Sequence, residues 1–290
     1  MWVTVDLNRE LWRRLTGGRV AVLTGAGMST DSGIPDYRGP NAPKATPMLY
    51  SEFTGSVDSR RRYWARAYQG WMRMGTALPN SGHHALAALE RQGRLDGVIT
   101  QNVDGLHEAA GSATLIALHG RISAVICLDC GHRSSRDRLQ QRLAELNPHV
   151  TATDDLGHAE LRPDGDAVVE DWADFTPADC LACGGVLKPD VVFFGESVPA
   201  PRVQRCFDLV GAADSVVVLG SSLTVMSGLR FVRRAAKDGK TVVVVNRGRT
   251  RGDELADAKL DVGCADFLAA WQERAAVSPL VDVAAEGARP

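Results

Sequence analysis

Residues 19–27 read RVAVLTGAG: one arginine, an unbroken apolar or β-branched run, then two glycines around an alanine. A continuous run of this kind suits a β-strand buried on both faces, as in a parallel sheet flanked by helices. The same signature recurs. Residues 215–219 (SVVVL) lead into Gly220-Ser221-Ser222, residues 241–245 (TVVVV) into Asn246-Arg247-Gly248, and residues 97–100 (GVIT) into Gln101-Asn102. Helices are predicted between them, over residues 81–92 and 228–237. This is the pattern of an α/β protein with an open, Rossmann-like parallel sheet, where ligands bind beyond the carboxyl ends of the strands.

The middle of the chain breaks that rhythm, with no strand–helix alternation between Cys127 and Cys183. Residues 136–146 read as an amphipathic helix with Leu139, Leu143 and Leu146 on one side, stopped by Asn147-Pro148. The Asp-rich stretch after it, residues 151–179, reads as loop. Earlier, residues 36–79 open with a Pro-rich loop and continue as an Arg- and aromatic-rich helix.

Four of the six cysteines form two matched knuckles, Cys127-Leu-Asp-Cys130-Gly and Cys180-Leu-Ala-Cys183-Gly. A two-residue gap lets both thiolates of a knuckle reach one ion, and four sulfurs complete the tetrahedron that zinc prefers. Six cysteines are too few for a disulfide scaffold in a chain of 290 residues. A full thiolate set leaves no open position, so the expected zinc is structural. The chain then divides into a large domain (residues 1–36, 80–122 and 187–275), a smaller helical and zinc-ribbon insert (37–79 and 123–186), and a frayed tail (276–290).

A net charge of −2 gives neither a nucleic-acid binder nor a membrane-surface binder its usual basic excess. No apolar run reaches the roughly 20 residues that span a bilayer. The opening MWVTVDLNRELWRRL lacks the basic start and apolar centre of a signal peptide. A cytoplasmic monomer is therefore expected.

Gly25-Ala26-Gly27 after a buried strand is half of a dinucleotide fingerprint, in which glycines let backbone approach a pyrophosphate at a helix N-terminus. The other half is missing. Thr30 stands at the third glycine position, and the region about 20 residues on is the loop NAPKATPMLY rather than a strand ending in an acid. A hydride-transfer dehydrogenase is disfavoured accordingly.

Further motifs follow in one order: GAGMSTDSGIPDYR (25–38), TQNVDGLH (100–107), LHG (118–120), the two CxxC knuckles, KPDVVFFGE (188–196), GSSLTV (220–225) and VNRG (245–248). With them the chain resembles the sirtuins, NAD-dependent protein deacylases, over roughly residues 15 to 270. Within that family it looks most like the sirtuin 4 (class II) branch and its bacterial relatives. The resemblance implies that Gly25, Ala26 and Gly27 cradle the NAD pyrophosphate, with Asp36, Tyr37 and Arg38 in a loop closing over it. Gln101 would hold the nicotinamide ribose, and Asn102 and Asp104 the nicotinamide carboxamide. Gly220, Ser221, Ser222, Asn246 and Cys264 would surround the phosphates, adenosine ribose and adenine.

His119 ends the apolar run ATLIAL (113–118). A lone histidine is often structural, but beside the QNVD motif it becomes the general base, since imidazole titrates near operating pH. By the same resemblance, Val192, Phe194, Gly195 and Glu196 on one side and the Val225 to Gly228 loop on the other sandwich an acylated-lysine peptide as an added strand. His83, His84 and His107 match no such role and are expected on helix surfaces or in packing. Tyr63 and Arg66, three apart on one helical face, resemble the Tyr-x-x-Arg that accepts succinyl, malonyl and glutaryl groups. A solvated basic helix face explains them equally well. Mono-ADP-ribosyl transfer would use the same nucleotide site, as would a non-catalytic NAD-binding module, though the latter needs no His119, Asn102 and Asp104 together.

Overall fold

The computed structural model describes residues 5–37, 47–150 and 171–278. A six-stranded parallel sheet forms the centre of the larger lobe. Helix α1 (Arg9–Gly17) precedes β1 (Val20–Thr24); α2 (Tyr50–Gly55), α3 (Val57–Thr76) and α4 (Ser81–Arg91) then lead to β2 (Gly97–Thr100). After the short α5 (Leu106–Ala109) come β3 (Leu115–Ala117), β4 (Gly120–Cys127), β5 (Arg133–Ser135), α6 (Arg136–Leu146) and β6 (Leu187–Val191). The chain closes with α7 (Ala200–Ala212), β7 (Ser215–Leu219), α8 (Met226–Lys237), β8 (Thr241–Val245), β9 (Ala258–Leu260) and α9 (Cys264–Val277).

The large sheet runs β3-β2-β1-β7-β8-β9, every neighbour parallel. Its continuous apolar strands are buried on both faces, as the runs at 20–24, 215–219 and 241–245 require. Val20, Val22, Val217, Leu219, Val243 and Val245 pack on one side with Trp12 and Leu15 of α1, Leu86 and Leu89 of α4, and Trp271 of α9. Leu23, Val216, Val218, Val242 and Val244 pack on the other with Val210 of α7 and Phe231 and Val232 of α8. Strand order reverses between β1 and β7, which opens a crevice beyond their carboxyl ends.

The smaller lobe is a three-stranded antiparallel sheet, β5-β4-β6, with α3 and α6 packed on it. Tyr63, Trp64 and Tyr68 of α3 share one core with Cys127, Leu139, Leu143, Phe175 and Leu187, so the helical module and the cysteine ribbon form a single body. The boundaries expected at 122/123 and 186/187 cut this sheet, because β4 starts at Gly120 and β6 pairs with it back to Val191. Helix α8 begins two residues before the predicted 228. Helix α9 runs to Val277, past the start of the expected tail. Residues 151–170 of the stretch read as loop, and residues 279–290 of the expected tail, lie outside the described residues. No helix among the described residues is long and apolar enough to cross a membrane.

Leu23 is 1% exposed at the centre of the sheet. Leu23→Ala should destabilise the protein by about 2–5 kcal/mol in denaturant unfolding, through lost transfer energy and an unfilled cavity. A loss well under 1 kcal/mol would contradict the two-faced packing.

Candidate active site

The carboxyl ends of β1, β2, β7 and β8 converge on a cavity of about 750 Å³. Its floor is set by the approach of two loops. The Gly25 N–H donates to Leu219 O at 3.0 Å, and the Gly27 N–H to Gly220 O at 2.9 Å. A Cβ on Gly27 would lie 3.0 Å from Gly220 Cα, and one on Gly220 would lie 2.5 Å from Gly27 C. Gly220 also sits at φ 60°, where L-residues are strained. These glycines are thus required by loop-on-loop packing, and the bare backbone they leave is what a phosphate could approach. The chain beyond Gly27 forms two 3₁₀ turns, Ala26–Met28 and Thr30–Ser32, rather than the α-helix of the expected fingerprint. Local bonding explains the difference: Ser29 is drawn toward the β2 loop, and Gly33 turns the chain away at φ 82°.

That bonding forms a polar network. Asn102 Nδ2 donates to Gly25 O and to Ser29 Oγ, both at 3.0 Å. Ser29 Oγ donates to Asp104 Oδ2 at 2.7 Å, while Asp104 Oδ1 accepts the Leu106 N–H at 2.9 Å. Burial raises the Asp104 pKa above the usual carboxylate range, against the pull of these donors. Gln101 Nε2 donates to Thr24 O at 3.2 Å and Ser221 Oγ at 2.8 Å, tying β2 to both glycine loops. Behind the network, His83 and His107 meet edge to face with ring centroids 4.7 Å apart, and His107 Nε2 bonds Thr24 Oγ1 at 3.0 Å. Burial pushes them down to about 4 and about 3, so both are neutral packing residues.

His119 stands where β3 hands over to β4. Gly120, at φ 86°, makes that corner, and a Cβ there would lie 2.0 Å from Asp190 O. The Val192 N–H donates to His119 O at 2.8 Å and holds the corner to the β6 end. His119 Nδ1 lies 2.9 Å from Gln101 O. A carbonyl only accepts, so Nδ1 carries the proton and Nε2 offers its lone pair toward the cavity, 2.8 Å from Ser227 Oγ. Burial lowers the His119 pKa, the Gln101 carbonyl opposes this, and the charges of Arg202 and Arg230 add to the lowering. The imidazole is therefore neutral, and able to take a proton, at neutral pH.

Asp36, Tyr37, Ser222, Asn246, Val192, Phe194, Gly195, Glu196 and Val225 all line the cavity. Arg38 lies outside the described residues. Three side chains are placed otherwise than expected. Cys264 is buried behind Gly27, its Sγ 4.0 Å from that residue's carbonyl, and does not line the cavity. The Glu196 carboxylate turns back to accept the Phe193 N–H at 2.9 Å and buried Lys188 Nζ at 3.0 Å, so it buttresses the lip rather than facing a peptide. Tyr63 lines the cavity within an aromatic cluster with Phe53, Trp64 and Phe193, whereas Arg66 is not among the lining residues. Ser29, Ser227 and Arg230, to none of which the sequence assigns a role of its own, are all at the site. Ser29 lies inside the GAGMSTDSGIPDYR motif and Ser227 inside the 225–228 loop; Arg230 carries no local marker.

In the smaller lobe the four knuckle sulfurs lie within 4.8 Å of one another. Cys127 and Cys183 Sγ are 3.6 Å apart, and Cys130 and Cys180 Sγ 3.8 Å. Tetrahedral zinc with bonds of about 2.3 Å needs sulfurs about 3.8 Å apart, whereas a disulfide needs about 2.05 Å. The donor set fits one structural zinc.

The family model described as the Sir2 family matches residues 25–227, from the first glycine of the β1 loop to Ser227. The chain belongs to the Sir2 family. It is 53% identical over 272 residues to the NAD-dependent protein deacetylase 1 of Mycobacterium avium (strain 104), covering 93% of this chain and 96% of that one. It is 56% identical over 246 residues to the protein of that name from Streptomyces coelicolor, covering 83% and 81%. Among solved structures it is similar to a Sir2–p53 peptide–NAD+ complex, with TM-score 0.73, 28% identity, and 93% and 99% of the chains covered. A Sir2 protein bound to a propionylated peptide is similar at TM-score 0.72 and 28% identity, over 93% and 99%.

As in any ribbon held by thiolates, the Sir2 zinc lobe should depend on its metal. Chelation should lower the melting temperature and abolish activity together, and zinc added before aggregation should restore both. Loss of activity with an unchanged melt would contradict a structural role.

Proposed function

We propose that this chain is an NAD-dependent protein-lysine deacylase, yielding nicotinamide, O-acyl-ADP-ribose and free lysine. One observation carries the reading: a neutral imidazole, its tautomer set by Gln101, opens its Nε2 onto the cavity that the glycine loop, Asn102 and Asp104 also line. The bare-backbone floor at Gly25 and Gly27 and the half-buried amides of Asn102 and Gln101 fit a dinucleotide with a carboxamide at one end. NAD supplies the electrophilic C1′ of its nicotinamide ribose, which the acyl oxygen attacks. Asn102 and Asp104 hold the leaving carboxamide, and His119 then takes the proton of a ribose hydroxyl so that its oxygen can capture the acyl carbon. The lips at 192–196 and 225–227 present backbone to an extended peptide, a mode that reads little side-chain sequence. The deacetylase names of the bacterial relatives and the peptide-bound Sir2 structures support this assignment.

Mass spectrometry of an acyl-lysine peptide panel with NAD tests it. His119→Ala should lower O-acyl-ADP-ribose formation by roughly 10²–10⁴-fold. Because the folded His119 pKa is below the ordinary 6.5, the wild-type acid limb of kcat/KM should fall below that pH. No acyl product on any peptide would refute deacylation, and label from NAD found on protein instead would favour mono-ADP-ribosyl transfer.

Tyr63 contributes an aromatic wall to the cavity, and Arg66 follows it three residues on along α3. An acidic-acyl preference held by this pair, through a guanidinium that receives a terminal carboxylate, predicts that succinyl- or glutaryl-lysine turns over faster than acetyl-lysine and that Arg66→Met removes the difference. Acetyl-lysine turned over at least as well by the wild type, or an acidic preference unchanged in Arg66→Met, would contradict it.

A further inference from the structure

Ser227 is the second residue of α8 and lines the cavity. Its hydroxyl lies 2.8 Å from His119 Nε2, and among the described residues it has no other hydrogen-bond partner. The direction of this bond is determined. Nδ1 donates to the Gln101 carbonyl, so Nε2 of the neutral ring can only accept, and Ser227 must donate. The nitrogen that is to act as the base thus already holds a proton donor in its resting state.

The arrangement is held from behind by one residue. Gln101 fixes His119 through its carbonyl, while its side chain receives the start of α8. A Cβ on Gly228 would lie 2.6 Å from Gln101 Oε1, so glycine beside Ser227 lets the helix come this close while the Gln101 amide keeps its place. Gln101 Nε2 also bonds Ser221 Oγ, anchoring the loop that delivers α8. Imidazole and hydroxyl are registered on the same residue, one on its backbone carbonyl and the other on its side chain, and their separation follows from that shared anchor.

We propose that Ser227 carries the proton between the ribose hydroxyl and His119. The proposal rests on the deacylase reading. In this step the ribose O–H bond breaks and its proton passes to Ser227 Oγ, as the Ser227 proton passes to His119 Nε2. The ring becomes imidazolium, still donating through Nδ1 to Gln101 O, and the ribose oxygen keeps the electron pair with which it bonds the acyl carbon, whose π pair to the lysine nitrogen moves onto that nitrogen. Among the described residues, the charged groups acting on the ring are Arg202 of α7, whose Nη1 donates to Leu118 O at 3.2 Å, and Arg230 of α8. Both oppose the imidazolium and return it to the neutral form. A hydroxyl between base and substrate also lets the imidazole stay in its packed position while the ribose sits one hydrogen bond further out.

The test uses full-length Ser227→Ala, Ser227→Thr and His119→Ala proteins, each checked by thermal melting. Two activities are read: acyl product formation, and exchange of labelled nicotinamide into NAD in the presence of peptide, which needs C1′ chemistry but not the base. Ser227→Ala should lose about 10- to 100-fold in kcat for acyl product, toward the His119→Ala level, with the KM for NAD within about twofold and exchange retained. Its acid limb should move to higher pH, because removing a donor to the neutral ring makes the ring easier to protonate. Ser227→Thr keeps a hydroxyl and should recover most of the rate. Full deacylation by Ser227→Ala, no recovery by Ser227→Thr, equal loss of exchange, or ADP-ribose found covalently on Ser227 would each overturn the proposal. An inactive wild type would instead remove the deacylase reading beneath it.

Discussion

The contact between the β1 and β7 loops through Gly27 and Gly220 governs the geometry of the larger lobe's cleft. Side chains at these points would push the loops apart by contact with backbone, which cannot swing aside. Because the loops touch, four strand ends open on one cavity, and Gln101 can reach Thr24 and Ser221 together. Ser29, Gln101 and Asn102 take their positions from that convergence. Its location at the point where strand order reverses is the general property of open parallel sheets.

The second consequence is electrical. Packing between β-branched strands removes water from the cleft floor, which raises the Asp104 carboxyl and lowers the His119 imidazole. Such opposed shifts are how a buried site keeps a carboxyl beside a leaving group and a neutral base nearby without assistance from bulk solvent. The hydrogen bond from His119 to Gln101 adds direction, since it leaves only one ring nitrogen facing the cavity. The zinc ribbon acts at a distance: it ends β4, and β4 begins at the residue after His119.

Much of this was legible in the chain. The runs at 20–24, 215–219 and 241–245 are strands because their apolar, β-branched centres must be buried on both faces, and the α6 pattern ends at its Asn147-Pro148 stop. The β4–β6 sheet was not legible. Pro189 sits inside β6, which is acceptable only because β6 is an edge strand, and β4 departs from regular pairing between Gly120 and Val125. The amphipathic α1 and the helices α7 and α9 lacked a motif to draw attention to them. Of the site, the motif residues were readable as a set, because their order is specific. Cys264 and the Glu196 carboxylate were misplaced because a motif records that a residue is present, not which way its side chain turns. The role of Ser227 could not be read from sequence: its meaning lies in a 2.8 Å separation from a residue more than a hundred positions away.

The central claim is that the acyl oxygen, not water, attacks the ribose carbon in this cleft. It is tested most directly with an acyl-lysine peptide carrying ¹⁸O in the amide carbonyl. Mass spectrometry of a single turnover should find the label in the ADP-ribose portion of O-acyl-ADP-ribose. Label left in free carboxylate, with no acyl-ADP-ribose formed, would contradict it.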